Sequence, residues 1–295
     1  MTIQEAAERI RAGELVAFPT ETVYGLGANA LDARAVARIY EMKGRPAASP
    51  LIVHVASIDN AKSLVTEWPS QAEQLARLYW PGPLTLVLPK IAAIPDIVTA
   101  GLPTVGIRVP NHSIALALIR EAGVPIAAPS ANRFMGLSPT TAEHVREAFG
   151  DAVPVVDGGP CQVGIESTVV SIVHGEIKLL RVGMISIEDV ERAGTPSAGA
   201  AHLAPGMHLR HYSPRTPLVL STQPDPLGAY VWINLPAKAA RSIHMPAGAD
   251  AYAARLYGVL HELDREGWPV ICVEPPPDAI EWAAVRDRLN RASSK

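Results

Sequence analysis

Two cations separated by one glycine, Lys43-Gly44-Arg45, head the residues that could do chemistry in this 295-residue chain. Lysine offers a compact point charge and arginine a planar fork, and the glycine between them lets backbone approach, a mixture suited to a chain of phosphates. The same pair would also serve as a solvated cap offsetting the dipole of a preceding helix. A second stretch, Pro19-Thr20-Glu21-Thr22-Val23-Tyr24-Gly25-Leu26-Gly27-Ala28-Asn29, is rich in hydroxyls and glycine and directly follows an apolar run. Loops past strand C-termini line ligand crevices in α/β sheets, so this stretch reads as a pocket wall. Its glycines lack the third member of a dinucleotide fingerprint, no Walker A sequence occurs in the chain, and a plain turn would explain them as well.

Further candidates follow the same logic. Ser130 and Asn132, in Pro-Ser-Ala-Asn, can bond phosphate or ribose, or simply their own turn. Arg108, close behind Thr104, lies on an apolar strand where a guanidinium needs an internal acid, solvent or a bound carboxylate. His54 poses the same question within 51–55, with a satisfied structural histidine as the plainer answer. Gly164-Ile165-Glu166-Ser167-Thr168 opens another strand, and Arg181 ends the next. Residues 204–214 (Ala-Pro-Gly-Met-His-Leu-Arg-His-Tyr-Ser-Pro) carry more polar and basic groups than a tether needs, which makes a mobile lid one reading and an interdomain tether the other. His208 and His211 lack partners at metal-ligand spacing and are assigned no metal.

The elements that must position these residues alternate. Short apolar runs at 15–18, 51–55, 84–88, 105–109, 125–128, 153–156, 167–173 and 177–181 read as strands with helices between them, the rhythm of an α/β or α+β domain. Val36, Ile39 and Tyr40 have helical spacing and run into Gly44 and Pro46, which stop helices. Thr140 and Glu143 have capping-box spacing, so a helix is expected after the loop containing Ser138. Small turn-forming residues after Glu191 mark a domain boundary. Beyond it, strands at 218–220, 230–233 and 270–273, a helix bearing Tyr252, Leu256, Leu260 and Leu263, and a last helix from about Asp278 predict a small α/β unit.

Composition narrows the class. A hydrophobic fraction of 48% and a charged fraction of 19% are those of a folded protein. The longest apolar runs fall far short of a membrane span. The amphipathic segment 1–11 has no secretory pattern, so a cytoplasmic location is expected. Cys161 and Cys272 are the only cysteines, which suggests neither a disulfide framework nor a thiolate metal site. A formal net charge of -3 gives no general attraction to nucleic acid or anionic lipid.

Taken in order, Phe-Pro-Thr-Glu-Thr-Val-Tyr-Gly-Leu-Gly (18–27), Lys-Gly-Arg-Pro (43–46), Pro-Leu-Ile-Val-His (50–54), Trp-Pro-Gly-Pro-Leu-Thr (80–85), Ala-Pro-Ser-Ala-Asn (128–132) and Glu-Ser-Thr (166–168) resemble the YrdC-like family of threonylcarbamoyl-AMP synthases. The linker Pro-Gly-Met…His-Tyr-Ser-Pro (205–214) resembles that of its two-domain form. The resemblance implies a YrdC-like catalytic domain over 1–192, a twisted mixed sheet flanked by helices with a positively charged cleft. A linker or lid over 193–216 and a small C-terminal Rossmann-like α/β domain over 217–295 would follow. Implied substrates are ATP with Mg2+, L-threonine and bicarbonate, with no membrane partner. Carried over by position, Lys43, Arg45, Thr104, Ser130, Asn132, Ser138, Arg181 and Tyr212 would contact ATP, Lys43 and Arg45 as the catalytic cations. Thr20, His54, Arg108, Ala128 and Ser167 would hold threonine. A separate enzyme would pass the threonylcarbamoyl group to tRNA, making tRNA or tRNA-modification proteins the downstream partners. Two rivals stand beside this reading: a module for structured RNA, which the net acidity disfavours, and an enzyme making a carbamoyl adenylate from carbamoyl phosphate.

Overall fold

Eight short strands build the first layer of the computed structural model, which describes residues 1–186, 188, 190 and 211–294. They are β1 (Val16–Phe18), β2 (Gly25–Asn29), β3 (Ile52–His54), β4 (Leu84–Pro89), β5 (Thr104–Arg108), β6 (Ile126–Ala127), β7 (Thr168–Val173) and β8 (Glu176–Arg181), in spatial order β1-β2-β6-β3-β5-β4-β7-β8. The β3–β5 and β4–β7 pairs are parallel and the others antiparallel, so the sheet is mixed as expected. Parallel register sets His54 directly opposite Arg108 at the C-terminal ends of β3 and β5. One pairing therefore joins two candidates 54 residues apart.

Helices α1 (Ile3–Arg11), α2 (Ala33–Lys43), α3 (Ile58–Lys62), α4 (Ser70–Tyr79), α5 (Asp96–Thr99), α6 (Ser113–Ala122) and α7 (Ala142–Phe149) cover this sheet. The α1 N-terminus is closed by a reciprocal box between Thr2 and Glu5, which satisfies two otherwise orphan donors. Asp32 caps α2 by accepting from the backbone of Arg34 and Ala35, and Gly44 ends it at φ 63°, the left-handed conformation glycine adopts freely. Lys43 is thus the last helical residue and Arg45 the first beyond the turn.

Three elements differ from expectation. Residues 25–29, read as loop, form β2. Glycine disfavours strands in general, but a Cβ at Gly27 would lie only 2.8 Å from both Phe18 and Ile126 side chains, so the close approach demands glycine. Residues 153–156 contribute a single bridge, Ala17 to Val155, instead of a strand. The α7 cap is Thr141, whose side chain accepts from His144 N–H, one residue later than the spacing suggested.

The second layer is a four-stranded parallel sheet of β9 (Leu218–Leu220), β10 (Ala229–Trp232), β11 (Arg241–His244) and β12 (Ile271–Val273), ordered β11-β10-β12-β9, with helices α8 (Ala249–Glu266) and α9 (Ala283–Ser293). Strand β11 went unforeseen because Arg-Ser-Ile-His carries no apolar run. The expected linker falls mostly on 191–210, outside the described residues.

Tyr252, Leu256, Tyr257 and Leu260 of α8 pack with Val231 and Ile271, and the same cluster takes in Val23, Leu137 and Ile165 from the first sheet's loops. Burying each of those three contributes about 1.5–3 kcal/mol. No described helix is long and apolar enough to cross a membrane.

Candidate functional site

A cleft enclosing about 550 Å³ opens where the C-terminal ends of β3 and β5 meet the loops after β1 and β6 and the segment entering β7. Thr20 shapes its floor. The Thr20 hydroxyl lies 2.7 Å from the Val23 carbonyl and accepts from the N–H groups of Thr22 and Val23, a hydroxyl-closed turn that fixes the loop.

Arg108 is buried and held by three protein oxygens. Its Nε donates to the Gly82 carbonyl at 3.1 Å, its Nη1 to Thr22 Oγ1 at 2.9 Å, and its Nη2 lies 2.6 Å from Glu21 Oε1. The last contact is an ion pair by distance but is not aligned as a hydrogen bond, and Glu21 Oε2 has no partner. Beside it His54 meets the Phe18 ring edge-on at 6.0 Å, with Nδ1 unpartnered. Burial, reinforced by the charge on Arg108, pushes the His54 pKa down to about 3. The imidazole is therefore neutral at physiological pH.

On the β7 side Ser167 shares a 2.8 Å hydroxyl contact with Thr85, and Arg181 donates to Ser167 through Nε to its carbonyl and Nη2 to its hydroxyl, each at 3.0 Å. Arg45 enters from the end of α2. Its Nη2 donates to the Pro50 carbonyl at 3.1 Å, its guanidinium stands 6.0 Å from the Phe134 ring, and its Nε has no partner. Among the described residues it forms no ion pair, and burial pushes its pKa down to about 10, still charged at neutral pH. Ser130, which donates to Asn132 Oδ1 at 2.6 Å, and Ala128 complete that edge.

Tyr212 closes the cleft from the polypeptide leading into the second sheet. Its ring is buried, 4.1 Å from His211 and 6.0 Å from Tyr257, and its hydroxyl has no partner. Its φ of 59° is unusual for a residue with a side chain, so the surrounding contacts must hold it.

The cleft thus gathers Thr20, Arg45, His54, Arg108, Ala128, Ser130, Ser167, Arg181 and Tyr212. Four expected residues stand elsewhere. Lys43 sits behind the lining: its buried ammonium donates to the carbonyls of Ser130, at 2.5 Å, and Asn132. Burial, with Arg45 and Arg133 nearby, pushes its pKa well below the lysine range. Asn132 is occupied in the same loop, with Nδ2 donating to the carbonyls of Arg133 and Gly136 at 2.8 Å each. Ser138 donates to Glu166 from below the surface. Thr104 begins β5 opposite Pro89, four residues from Arg108 and hence about 13 Å along the strand.

Sequence reasoning passed over Glu166, Tyr257 and Arg288. Glu166 lines the cleft and its carboxylate meets Ser138, the Tyr257 hydroxyl at 3.2 Å and Arg288 Nε at 2.7 Å. Burial alone would raise its pKa, but Arg288, Arg181 and the Ser138 hydrogen bond outweigh this and hold it below the usual range. Glu166 stood in a quoted motif; Arg288 and Tyr257 stand in a region without one.

The depressed histidines carry a stability prediction. His144, stacked 3.8 Å from His261, is also pushed down to about 3, mainly by burial. Both bind protons in the unfolded chain near pH 6.5 but not in the fold, so the stability they contribute is present above pH 6.5 and is lost as pH falls toward 3. Each fully shielded site adds at most about 1.4 kcal/mol per pH unit. Urea unfolding followed across that window should show stability falling with acidity; a flat profile contradicts the burial argument.

Residues 8–183 match the Sua5–YciO–YrdC family model, described as telomere recombination, and 182–294 match the model of the threonylcarbamoyl-AMP synthase C-terminal domain. The chain belongs to the Sua5–YciO–YrdC family. Within it, the chain is similar to the threonylcarbamoyl-AMP synthase of Pyrococcus abyssi, 42% identical over 318 residues covering 99% of this chain and 94% of that relative. The Bacillus subtilis threonylcarbamoyl-AMP synthase is 41% identical with 99% and 92% covered. A putative Mycobacterium tuberculosis member is 39% identical but matches only 64% of this chain and 87% of its own length. The crystal structure of Pyrococcus abyssi Sua5 complexed with L-threonine superposes with a TM-score of 0.91 at 40% identity, covering 99% of this family member and 94% of that chain.

Proposed function

We propose that this chain is a threonylcarbamoyl-AMP synthase, a nucleotidyltransferase that makes threonylcarbamoyl-AMP and pyrophosphate from L-threonine, bicarbonate and ATP. One observation carries the proposal: buried polar atoms without protein partners, Arg45 Nε, His54 Nδ1 and Tyr212 Oη, belong to residues lining one cleft. Buried polar groups ordinarily find partners, so a cleft that collects orphans is built for a polar ligand. The relatives' names and the threonine-bound neighbour supply the ligand's chemistry.

In this scheme Arg108 receives the threonine carboxylate, while Arg45 and Arg181 face the phosphates. Lys43 acts indirectly, pinning the Ser130–Asn132 loop. The threonine amine and bicarbonate give a carbamate and water. A carbamate oxygen then bonds to the α-phosphorus of ATP, the bond from that phosphorus to the bridging oxygen breaks, and pyrophosphate leaves. No side chain need become covalently attached; the protein positions reactants and offsets charge. Tyr212 and its neighbours shelter the water-labile carbamate.

Magnesium would enter with ATP and supply charge neutralisation on the phosphates. Among the described residues no three His, Cys, Asp or Glu side chains cluster as ligands, and Glu166 is engaged by Arg288. Such an ion fits as one held by phosphate oxygens and water, its usual mode with nucleotides. Transfer of the product to tRNA would fall to a separate enzyme.

The assay is direct. Incubation with ATP, magnesium, bicarbonate and threonine should yield threonylcarbamoyl-AMP by mass and release pyrophosphate. Release that persists unchanged without threonine, or that requires carbamoyl phosphate, would overturn the proposal in favour of a carbamoyl-adenylate enzyme.

A further inference from the structure

The second sheet has a ligand crevice of its own, and the chain fills it. Parallel sheets take ligands beyond the strand C-termini where strand order reverses, here between β10 and β12. At that point the N–H groups of Ile233, Asn234 and Leu235 donate to the Glu274 carboxylate at 2.7, 3.0 and 3.1 Å. An internal carboxylate occupies the nest that would hold an external anion. The face this unit turns to the first sheet is then its informative one.

That face reaches the cleft. Val23, Leu137 and Ile165, from the three loops carrying Thr20, Ser138 and Glu166, are buried in the second unit's core. Gly164 presses so close to α8 that a Cβ there would meet the Ala253 carbonyl at 2.5 Å. At the centre Arg288 of α9, fully buried, donates Nε to Glu166, donates Nη1 to the Val182 carbonyl and Asp287, and lies 5.1 Å over the Tyr212 ring. It touches two cleft-lining residues without lining the cleft itself.

We infer that Arg288 is a positioning residue through which the C-terminal domain fixes Glu166 and Tyr212 on the nucleotide side of the cleft. The inference rests on the synthase reading for the identity of the nucleotide. Two physical effects act together. Arg288 offsets the Glu166 charge, which would otherwise repel a triphosphate, and its planar cation holds the Tyr212 ring in a backbone conformation tyrosine does not adopt unaided. Threonine, held by Arg108 and His54, is not served by this contact.

The test uses the full-length chain with Arg288→Met, Arg288→Lys and the double variant Arg288→Met/Glu166→Gln, measuring Tm, calorimetric affinity for a non-hydrolysable ATP analogue and for threonine, and the KM of each substrate. Arg288→Met should weaken analogue binding and kcat/KM for ATP by about a hundredfold, the usual scale for one lost electrostatic contact, with threonine affinity unchanged. Arg288→Lys should recover part of the loss. The double variant leaves no lone buried charge and should regain Tm, because removing a buried pair together is tolerated where removing one member is not. It should still bind the analogue at least about tenfold more weakly, since Tyr212 has lost its cation. A double variant with parental analogue affinity, or losses shared equally by ATP and threonine, would reduce Arg288 to a structural prop and overturn the inference. A parent chain that binds the analogue and makes no adenylate would defeat the synthase reading alone, leaving the binding comparison intact.

Discussion

Arg45→Met should cut threonine-dependent pyrophosphate release by at least about a hundredfold, the scale expected when one preorganised charge is withdrawn from a transition state, while Tm stays level or rises. The second half follows from what Arg45 lacks. Its guanidinium is buried with one carbonyl partner, an aromatic ring 6.0 Å away and, among the described residues, no carboxylate. Taking a charge out of water without a counter-charge costs stability, and methionine restores the apolar stem without the charge. A residue that weakens the fold where it stands, and is kept charged despite burial, is poised for an anionic ligand.

Lys43→Met supplies the contrast. Its ammonium satisfies the carbonyls of Ser130 and Asn132, and stranding buried acceptors costs about 1–3 kcal/mol each. Activity and Tm should therefore fall together in that variant, whereas in Arg45→Met they part. Were Arg45→Met to melt early with turnover per folded molecule preserved, Arg45 would be structural and the phosphate assignment would fail.

These two residues also show where sequence stops informing. That α2 ends at Gly44 is legible, because glycine alone tolerates the left-handed turn. Which of two flanking cations then faces the cleft depends on how the helix lies on the sheet, and that is set by Val36 and Ile39 packing far from the site. His54 and Arg108 were each legible as anomalies on apolar strands; their adjacency comes from a parallel register that no local pattern encodes. Strand β2 was hidden because the glycines that admit Phe18 look like a turn. Most distant of all was Arg288, one arginine in a polar helix with no motif, whose burial against Glu166 depends on how the two sheets dock. Local chemistry can be read residue by residue, but partnership across more than 100 positions cannot.

Arg108→Lys should raise the threonine dissociation constant by about ten- to a hundredfold, as the loss of a charge-assisted hydrogen bond worth about 1.5–3 kcal/mol implies, with ATP-analogue affinity near parental. Of the five guanidinium N–H bonds, contacts to Gly82, Thr22 and Glu21 engage three, leaving one on each terminal nitrogen. Two parallel donors on a locked plane match the two oxygens of a carboxylate. Lysine keeps the charge opposite Glu21 and so spares the fold the cost of an unpaired buried acid, but it can neither reach three fixed acceptors nor present a fork. The neutral state of His54 makes Arg108 the cationic partner in this corner: an imidazole whose pKa lies at about 3 offers no charge to a carboxylate near pH 7. Calorimetric titration of threonine into the folded variant checks this, and parental affinity there would mean that the amino acid's carboxylate lies elsewhere.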